Sequence, residues 1–382
     1  MELEVCSSIG DIPALTWQEW FGTDYPFLRH DFLLGLETAG CTTAKTGWRP
    51  SHLILRDKEQ VIAAAPAFLK SHSYGEYVFD WSWADAWQRH GLDYYPKLLT
   101  ATPFTPAEGP RLWLNPNVDD ALDKLLAAVA QFCKDHGVSG WHLLFVESEL
   151  SKALSTRGLH QRMTTQFHWF NRGYQSFDDF LDLFSSRKRK NLRKERSRVV
   201  EQGLSLTTKT GSDISAADWS FFHHCYQMTY AKRSGHGGYL SREFFTEVCP
   251  ALGETPVMVI ASHSEQPVAA ALYFRSSSTL YGRYWGCLRE YDYLHFEACY
   301  YRGIEYCIEQ GLQHFDPGAQ GEHKIQRGFE PILTQSSHWI VEGGFNDALT
   351  NFCQRECDHV AEYRQEACSL LPFKEGLIKT ED

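Results

Sequence analysis

Residues 316–329 hold the densest group of side chains that could carry out chemistry. They read DPGAQGEHKIQRGF and combine two acids, an imidazole, two cations and three glycines. Glycine permits unusual backbone dihedrals and a close approach of the backbone to a ligand. A reaction at a carbonyl needs a base for the nucleophile and donors for the oxyanion, and this stretch can supply both. An ordinary glycine-rich loop with solvated charges is the alternative, and the sequence leaves both open.

A second cluster lies upstream, where Arg283, Tyr284 and Trp285 precede a predicted helix that begins near His295 and Glu297. The helix dipole favours a carboxylate at a helix N-terminus, and a histidine titrates near neutral pH. Taken singly, each of these residues is more often structural than in contact with a substrate. Together they are candidates for the wall of the same site.

A basic run at residues 187–198 carries eight cations and one anion on a predicted helix over residues 177–202. Arginine suits bidentate contacts to phosphate. Lys188 falls on the apolar stripe of this helix, and a merely solvated face would not need a cation there. We favour phosphate binding, to a nucleotide, coenzyme A or a tRNA end. A solvated helix face is the alternative.

The chain repeats part of itself at an interval of 206 residues. The stretch EQVIAAA at 59–65 returns as EQPVAAA at 265–271, and the tyrosine pair at 94–95 returns at 300–301. A looser third echo follows in the same order. This interval predicts two copies of one domain that face each other across a pseudo-twofold cleft, where ligands usually bind.

These repeats predict a first domain over residues 1–160, with a C-terminal helix at 346–382 packing back on it. The second, catalytic domain is predicted over residues 161–345. Period-2 and period-3.6 patterns predict an α/β fold, with a curved sheet flanked by helices. The predicted hairpins are 53–69 and 257–274, the other strands are 77–79, 141–145, 166–171, 279–285 and 312–318, and the helices are 94–100, 118–136, 177–202, 295–310 and 347–371.

Composition narrows the class of protein. The 382 residues, 43% of them hydrophobic, suffice for two or three folded domains, and the formal net charge of −11 argues against general nucleic-acid affinity. Eleven cysteines without a CxxC pair are typical of reduced thiols in a cytoplasmic protein, and no metal site is expected. The N-terminus has no signal-peptide pattern, and no apolar run approaches about 18 residues.

Several catalytic motifs are missing from the sequence. It contains no GxSxG elbow, P-loop, GxGxxG or HExxH motif. Serine hydrolases of the elbow type, P-loop nucleotide enzymes, Rossmann dehydrogenases and zincins therefore lose support.

Eight short stretches run through nearly the whole chain: WRPSHL at 48–53, YPKL at 95–98, PFTP at 103–106, QFHW at 166–169, SRKRK at 186–190, GRYWG at 282–286, GAQGEHK at 318–324 and LPFK at 371–374. On these stretches the chain resembles the FemAB-like predicted N-acyltransferases of the GNAT superfamily. The resemblance implies two tandem GNAT-like domains. It also implies transfer of an acyl or aminoacyl group to an amine, because Fem ligases attach amino acids from aminoacyl-tRNA to peptidoglycan precursors. The acetyl-CoA signature of standard GNAT enzymes is not recognisable in this chain.

Fem ligases carry a basic residue before a Gly-Phe near the end of their second domain, thought to stabilise the tetrahedral oxyanion. The matching stretch here is IQRGF at 325–329, so the resemblance gives this role to Arg327, with Lys324 close by in sequence. The basic helix resembles the Fem pattern at Arg187, Arg189 and Arg193.

The first functional hypothesis is an N-acyltransferase, in which an acid or a histidine deprotonates an amine and Arg327 or Lys324 stabilises the oxyanion. Acyl-CoA or aminoacyl-tRNA would be the co-substrate, the acceptor a small molecule or peptide amine, and no cofactor would be tightly bound. The catalytic candidates are Arg327, Lys324, His323, Asp316, Glu297 and His295. The substrate-binding candidates are Arg283, Tyr284, Trp285, Gln320, Tyr300 and His168, and the carrier-phosphate candidates are Arg187, Arg189, Lys190 and Arg193.

The second hypothesis is a non-catalytic module that recognises peptidoglycan-type peptides or glycans in the same cleft. Aromatic residues such as Trp81, Trp83, Trp87 and Trp285 would suit stacking against sugars. A third hypothesis is a ligase that binds tRNA, which a steep loss of affinity with salt would identify.

Overall fold

The computed structural model describes residues 1–319 and 321–374, which form both strands and helices. The strands are β1 (Glu2–Cys6), β2 (Trp48–Pro50), β3 (His52–Asp57), β4 (Gln60–Ala65), β5 (Phe68–Lys70), β6 (Lys97–Thr100), β7 (Trp113–Leu114), β8 (Gly140–Val146), β9 (His160–Phe170), β10 (Leu204–Thr210), β11 (Pro256–His263), β12 (Gln266–Arg275), β13 (Thr279–Cys287), β14 (His314–Asp316) and β15 (Glu330–Ile340).

The helices connect these strands. They are α1 (Ala14–Phe21), α2 (His30–Thr38), α3 (Trp81–Arg89), α4 (Ala121–Asp135), α5 (Ser148–Ser155), α6 (Phe177–Asp182), α7 (Ser186–Glu201), α8 (Ala216–Ser234), α9 (Cys249–Ala251), α10 (Leu294–Phe296), α11 (Arg302–Gln310) and α12 (Asn346–Ser369). The described residues also form π-helical segments at Phe244–Val248 and Glu297–Tyr301 and a 3₁₀ helix at Glu322–Arg327.

The chain forms two compact units. Unit 1 comprises Met1–Thr164 and Leu333–Ala361, and unit 2 comprises Thr165–Ile332 and the described residues from Glu362 onward. The domain limits predicted from the sequence stay a prediction.

Unit 1 contains an antiparallel sheet in the order β1-β3-β4-β7 and a second set of strands in the order β2-β5-β6-β8-β15. In the second set, β6 and β8 are parallel, and the connection between them includes α4. The apolar face of α4 and the buried strands share one core, which contains Leu98, Leu125, Val129 and Trp141. This is a strand-helix-strand crossover, as parallel pairing requires.

Unit 2 contains strands in the order β10-β11-β12-β13-β14-β9. All neighbours are antiparallel except β13 and β14, and the helical segment from α10 to α11 connects this parallel pair. Aromatic residues dominate the core, among them Trp169, Phe180, Tyr273 and Phe315. Each unit thus has a hairpin, β3-β4 or β11-β12, and one parallel crossover, in agreement with an internal duplication.

Two local predictions in unit 1 are wrong. Residues 94–100, predicted as a helix, lead into strand β6, whose four residues are all buried. A short buried run cannot be assigned by periodicity, and the interior position of β6 decides it. Residues 77–79, predicted as a strand, form a bend in which Tyr77 has φ 65°. The tyrosine echo at 94–95 and 300–301 therefore joins residues with different backbone conformations.

The predicted helix over residues 177–202 is two helices, α6 and α7. At the break, the Ser185 N–H donates to the Pro372 carbonyl at 3.0 Å, and the Lys374 N–H donates to the Leu183 carbonyl at 2.8 Å. The C-terminal segment thus takes up backbone groups that a continuous helix would have paired internally. The predicted helix 295–310 is confirmed but contains the π-helical segment Glu297–Tyr301.

A buried ionic network fixes the segment that precedes α3. The Lys97 ammonium donates to Glu76 Oε2 at 2.7 Å and to Ser73 Oγ at 2.8 Å, and it also contacts Asp80. Tyr94 donates to Asp80 at 2.6 Å. Burial raises the pKa of Asp80, but Lys97 and the hydrogen bonds lower it more, so this pKa lies well below its usual value. Asp80 is thus a buried carboxylate that depends on its cation.

Replacing Lys97 by Met should reduce the free energy of unfolding by about 3–5 kcal/mol, because Asp80 would then be buried without the cation that pairs with it. Urea denaturation followed by tryptophan fluorescence measures the loss. The matched control is Lys45→Met, at an exposed position, which should change stability by less than about 0.5 kcal/mol. Equal effects of the two substitutions would contradict the role given to Lys97.

Candidate active site

The loop that follows β14 is placed where two parallel strands separate. Strand β13 pairs with β14 only over Thr279–Tyr281, although it continues to Cys287. In the described part of the chain, no strand pairs with residues 282–287 on that side. A Cβ on Gly282 would lie 3.3 Å from Pro317 Cα, so the loop approaches β13 closely at this point. The loop therefore begins beside an open strand edge.

A buried ion pair fixes the start of this loop. Arg283 on β13 donates to Asp316 Oδ2 at 2.5 Å, and the two side chains are 2% and 1% exposed. The other oxygen of Asp316 accepts from the Gly318 N–H at 2.8 Å. Burial raises the pKa of Asp316, but Arg283 and His168 lower it more, so this pKa lies well below its usual value. Asp316 is a permanent anion that holds the loop, which makes it a poor base.

His168 lies behind this ion pair, and its ring Nε2 is 3.6 Å from Asp316 Oδ1. Its two ring nitrogens also contact Gln166 Oε1 at 3.0 Å and His314 Nε2 at 2.8 Å. Burial lowers the pKa of His168 to about 3. The His168 ring is thus neutral and buried. Its position favours a structural role beside the Arg283–Asp316 ion pair over contact with a substrate.

Lys324 lies inside the same loop with 1% of its surface exposed. Its ammonium donates to the Gly318 carbonyl and is 6.0 Å from the centre of the Tyr300 ring. Burial lowers the pKa of Lys324 to about 7, although Asp316 opposes this shift. Lys324 therefore changes its charge near neutral pH.

His323 is an exposed titratable group of the loop, and its Nε2 lies 2.8 Å from the Tyr300 hydroxyl. Desolvation lowers the pKa of His323 to about 4, and the charges of Arg327 and Lys324 add to this. Gly321 has φ 112°, and a Cβ there would lie 2.3 Å from His323 Cε1. The glycine thus leaves room for a neutral imidazole that Tyr300 orients.

Arg327 contacts the backbone of His323 and holds it in place. One terminal nitrogen donates to both oxygens of Glu195 at 2.9 Å, and the other donates to the His323 carbonyl at 2.7 Å. The guanidinium also lies 3.4 Å from the centre of the Phe296 ring. Tyr301 donates to the same Glu195. Both terminal nitrogens of Arg327 therefore have partners already.

His295 joins the cluster through its ring, which is 5.3 Å from the Tyr300 ring and 6.0 Å from the His323 ring. It also makes an edge contact with Trp285 at 5.4 Å. Burial lowers the pKa of His295 to about 3, and the charges of nearby cations, including Arg233, contribute. The structure thus brings His295, Trp285, Tyr300 and His323 together.

Glu297 belongs to a different set of contacts. Arg196 on α7 donates to its two oxygens at 3.0 and 2.8 Å, and Arg302 Nε lies 3.3 Å from it. The carboxylate borders a cavity of about 480 Å³ whose other walls include Val199, Leu204 and Leu206. A carboxylate paired in this way is not available as a base.

One predicted substrate contact, Tyr284, lies among other aromatic side chains. Tyr284 packs edge-on against Tyr226 and Phe245, with ring centres 5.6 and 6.2 Å apart. Gln320 lies outside the described residues.

The basic helix α7 has three different faces. Its inner face carries buried Leu192 and Val199, together with Glu195 and Lys188, which donates to Gln326. A second face carries Arg189 and Arg193, among other paired arginines. A third face carries Arg187, Lys190 and Lys194, spaced as neighbours on a helix surface.

The cations of the second and third faces differ in availability. Arg189 pairs with Asp182 at 2.7 Å and Arg193 pairs with Asp178 at 2.8 Å. Arg187, Lys190 and Lys194 are exposed and form no ion pair with another described residue. We call these three residues the outer stripe. Of the four predicted carrier contacts, the structure leaves Arg187 and Lys190 unpaired, and sequence reasoning missed Lys194.

The sequence held one signal for the missed residue Glu195. It is the lone acid in a run of eight cations, and a charge of opposite sign in such a run marks an internal partner. Nothing in the local sequence pointed to Arg233, whose positive charge at the end of α8 contributes to lowering the pKa of His295.

Residues 8–375 match the FemAB-like family, described as peptidoglycan biosynthesis/recognition. The chain belongs to this family. Membership supports the predicted transferase class. No curated protein matches the chain.

Solved structures with a similar fold include FemX, with a TM-score of 0.50 and 13% identity over 83% of this chain and 92% of that one. L-PGS from Bacillus licheniformis has a TM-score of 0.54 and 10% identity over 89% and 95% of the two chains. A conserved protein of unknown function from Bacteroides thetaiotaomicron VPI-5482 has a TM-score of 0.51 and 10% identity over 89% and 100%. These similarities concern the fold. The predicted class, α/β with tandem GNAT-like domains, is confirmed, and their pseudo-twofold relation stays a prediction.

The described residues lack two further features. No helix in residues 1–319 and 321–374 is long and apolar enough to cross a membrane. In the same part of the chain, no group of three or more His, Cys, Asp or Glu side chains is arranged to hold a metal ion.

Replacing Arg283 by Met should reduce the free energy of unfolding by about 3–5 kcal/mol, because Asp316 would remain buried without its counter-charge. Guanidinium denaturation followed by circular dichroism measures the loss. Arg289→Met, at an exposed position just beyond the same strand, is the control and should be nearly neutral. A loss below about 1 kcal/mol for Arg283→Met would show that the pair does not hold the loop.

Proposed function

We propose that this chain is an N-acyltransferase that moves an acyl or aminoacyl group from an activated carrier to an amine. The observation that carries the proposal is the exposed, neutral His323, which contacts Tyr300 and lies on the same loop as the cations Lys324 and Arg327. Membership in the FemAB-like family and the GNAT-like fold support the same class of reaction.

In the proposed reaction, His323 removes a proton from the acceptor amine as the nitrogen attacks the carbonyl of the carrier. This requires the Nε2–H of His323 to donate to the Tyr300 oxygen, which leaves Nδ1 free as the acceptor of the proton. The tetrahedral intermediate then collapses and its bond to the carrier breaks, so that the carrier leaves as a thiolate, or as a ribose oxygen that takes the proton from His323, and the amide bond is complete. Asp316, His168, His295 and Glu297 are paired or buried and are not the base in this scheme.

Lys324 is the proposed cation beside the developing oxyanion, since it carries a charge below its pKa of about 7 and lies in a water-poor setting. Arg327 adds positive charge to the site, but its terminal nitrogens are occupied by Glu195 and the His323 carbonyl. Its proposed part is therefore to place the loop and to add to the electrostatic field.

The proposed carrier contacts are the outer stripe Arg187, Lys190 and Lys194, which would bind the phosphates of coenzyme A or of a tRNA end. The proposed acceptor is a small molecule or a peptide amine. We place the reaction in the second of the two domains and in the cytoplasm.

Replacing His323 by Gln should lower the rate of transfer by about 10²–10⁴-fold, the usual contribution of a general base. The measurement is a labelled-transfer assay with acetyl-CoA and aminoacyl-tRNA as donors and a panel of amines as acceptors. In the wild type, the rate should fall as pH drops through about 4, where His323 is protonated, and as pH rises through about 7, where Lys324 loses its charge.

The matched control is His224→Gln, an exposed histidine on α8 that should leave the rate unchanged. A His323→Gln variant with the wild-type rate would remove His323 from the mechanism, and unchanged transfer by Arg327→Ala would remove Arg327.

Replacing the three outer-stripe residues by Ala should weaken carrier binding and flatten its dependence on salt, because each lost phosphate contact reduces the salt slope by about one. Fluorescence anisotropy with labelled tRNA, and calorimetry with coenzyme A, measure the two carriers separately. The control is Arg189→Ala with Arg193→Ala, whose side chains already pair with aspartates. A greater loss in the control than in the stripe variant would contradict the assignment.

Glycan recognition remains the second candidate because Tyr74 and Trp81 are 56% and 40% exposed and their ring centres are 5.1 Å apart. By contrast, Trp83 and Trp87, also predicted to stack on sugars, are buried in the core of unit 1.

This candidate predicts that Trp81→Ala weakens binding of soluble peptidoglycan fragments by at least about 10-fold, as loss of a stacking contact would. Leu15→Ala, at a more exposed apolar position, is the control. Calorimetry checks both variants, and equal binding by wild type and Trp81→Ala would exclude this surface.

A further inference from the structure

Glu195 occupies the inner face of α7 and is the one acid in the basic run. Its side chain is 18% exposed, and both of its oxygens lie 2.9 Å from the same terminal nitrogen of Arg327. The Tyr301 hydroxyl donates to it as well. Glu195 thus joins α7 to the 3₁₀ helix of the loop and to the π-helical segment.

Arg327 links Glu195 to the backbone of His323. The nitrogen that does not bind Glu195 donates to the His323 carbonyl at 2.7 Å, and the guanidinium rests on the Phe296 ring. An arginine held by a carboxylate on one side and a ring below has little rotational freedom. The backbone of His323 is therefore tied to α7 through one arginine.

We propose that Glu195 is a positioning residue for the imidazole of His323. It fixes Arg327, which holds the backbone of His323, and it compensates the positive charge that Arg327 places beside the ring. This inference rests on the proposed function, in which His323 is the base.

The charges around the imidazole determine how the pKa of His323 changes when Glu195 is replaced. The charged and titratable groups near His323 are Glu322, Lys324 and Arg327 on its own helix, and Tyr300 and His295 on the elements packed against it. Glu195 is the carboxylate paired with Arg327. Without it, the full charge of Arg327 acts on His323, which lowers the pKa of the base and weakens it.

The test uses Glu195→Gln, which keeps the shape of the side chain and removes its charge. We expect kcat for transfer to fall about 10–100-fold with KM within about two-fold, as for a displaced catalytic group. NMR titration of the ¹³C-labelled His323 ring should show its pKa shifted below the wild-type value. The double variant Glu195→Gln with Arg327→Gln should shift it back above that value.

The matched control is Glu201→Gln on the same helix, an exposed acid near Arg198 that should change neither quantity. Glu195→Asp keeps the charge and should restore most of the NMR shift, also if Glu195→Gln proves unstable. An unchanged His323 titration in Glu195→Gln, or the same kcat as in Glu201→Gln, would overturn the inference. A shifted titration in a protein that shows no transfer would refute the proposed function and leave the positioning of His323 intact.

Discussion

The ion pair between Arg283 and Asp316 is the constraint on which the candidate site depends. It is buried at the point where β13 and β14 stop pairing, and Asp316 also accepts a hydrogen bond from the Gly318 N–H. Because an unpaired charge at this depth is costly, the two strands and the loop must keep one arrangement. That arrangement sets the path of the loop and places Lys324 against the Gly318 carbonyl, next to the exposed His323.

Helix α7 holds the site from the other side. Its inner face supplies Glu195 to Arg327 and Tyr301, and Arg196 pairs with Glu297 on the same π-helical segment. Its outer stripe carries exposed cations that form no ion pair with another residue that the structure describes. One helix thus combines a structural task with a surface suited to phosphate, which explains why charges occur on all of its sides.

The sequence predicted the elements that have a long periodic pattern or a hairpin turn. That the glycine-rich loop is the centre of a functional site stays a prediction. The sequence could not predict partners that come from distant parts of the chain. Glu297 was a candidate base until its pairing with Arg196, about a hundred residues away, was visible. The strand at Lys97–Thr100 was missed because its conformation follows from burial between neighbouring strands, which a short apolar run does not encode.

The proposed mechanism requires His323 to be a neutral imidazole at physiological pH. Direct NMR titration of this ring in the wild-type protein tests that claim. The proposed mechanism predicts that the His323 ring stays neutral as the pH is lowered from 8 to about 5. The ring then takes up its proton near its pKa of about 4. A ring that titrates at the ordinary histidine value, about 6.5, would contradict it.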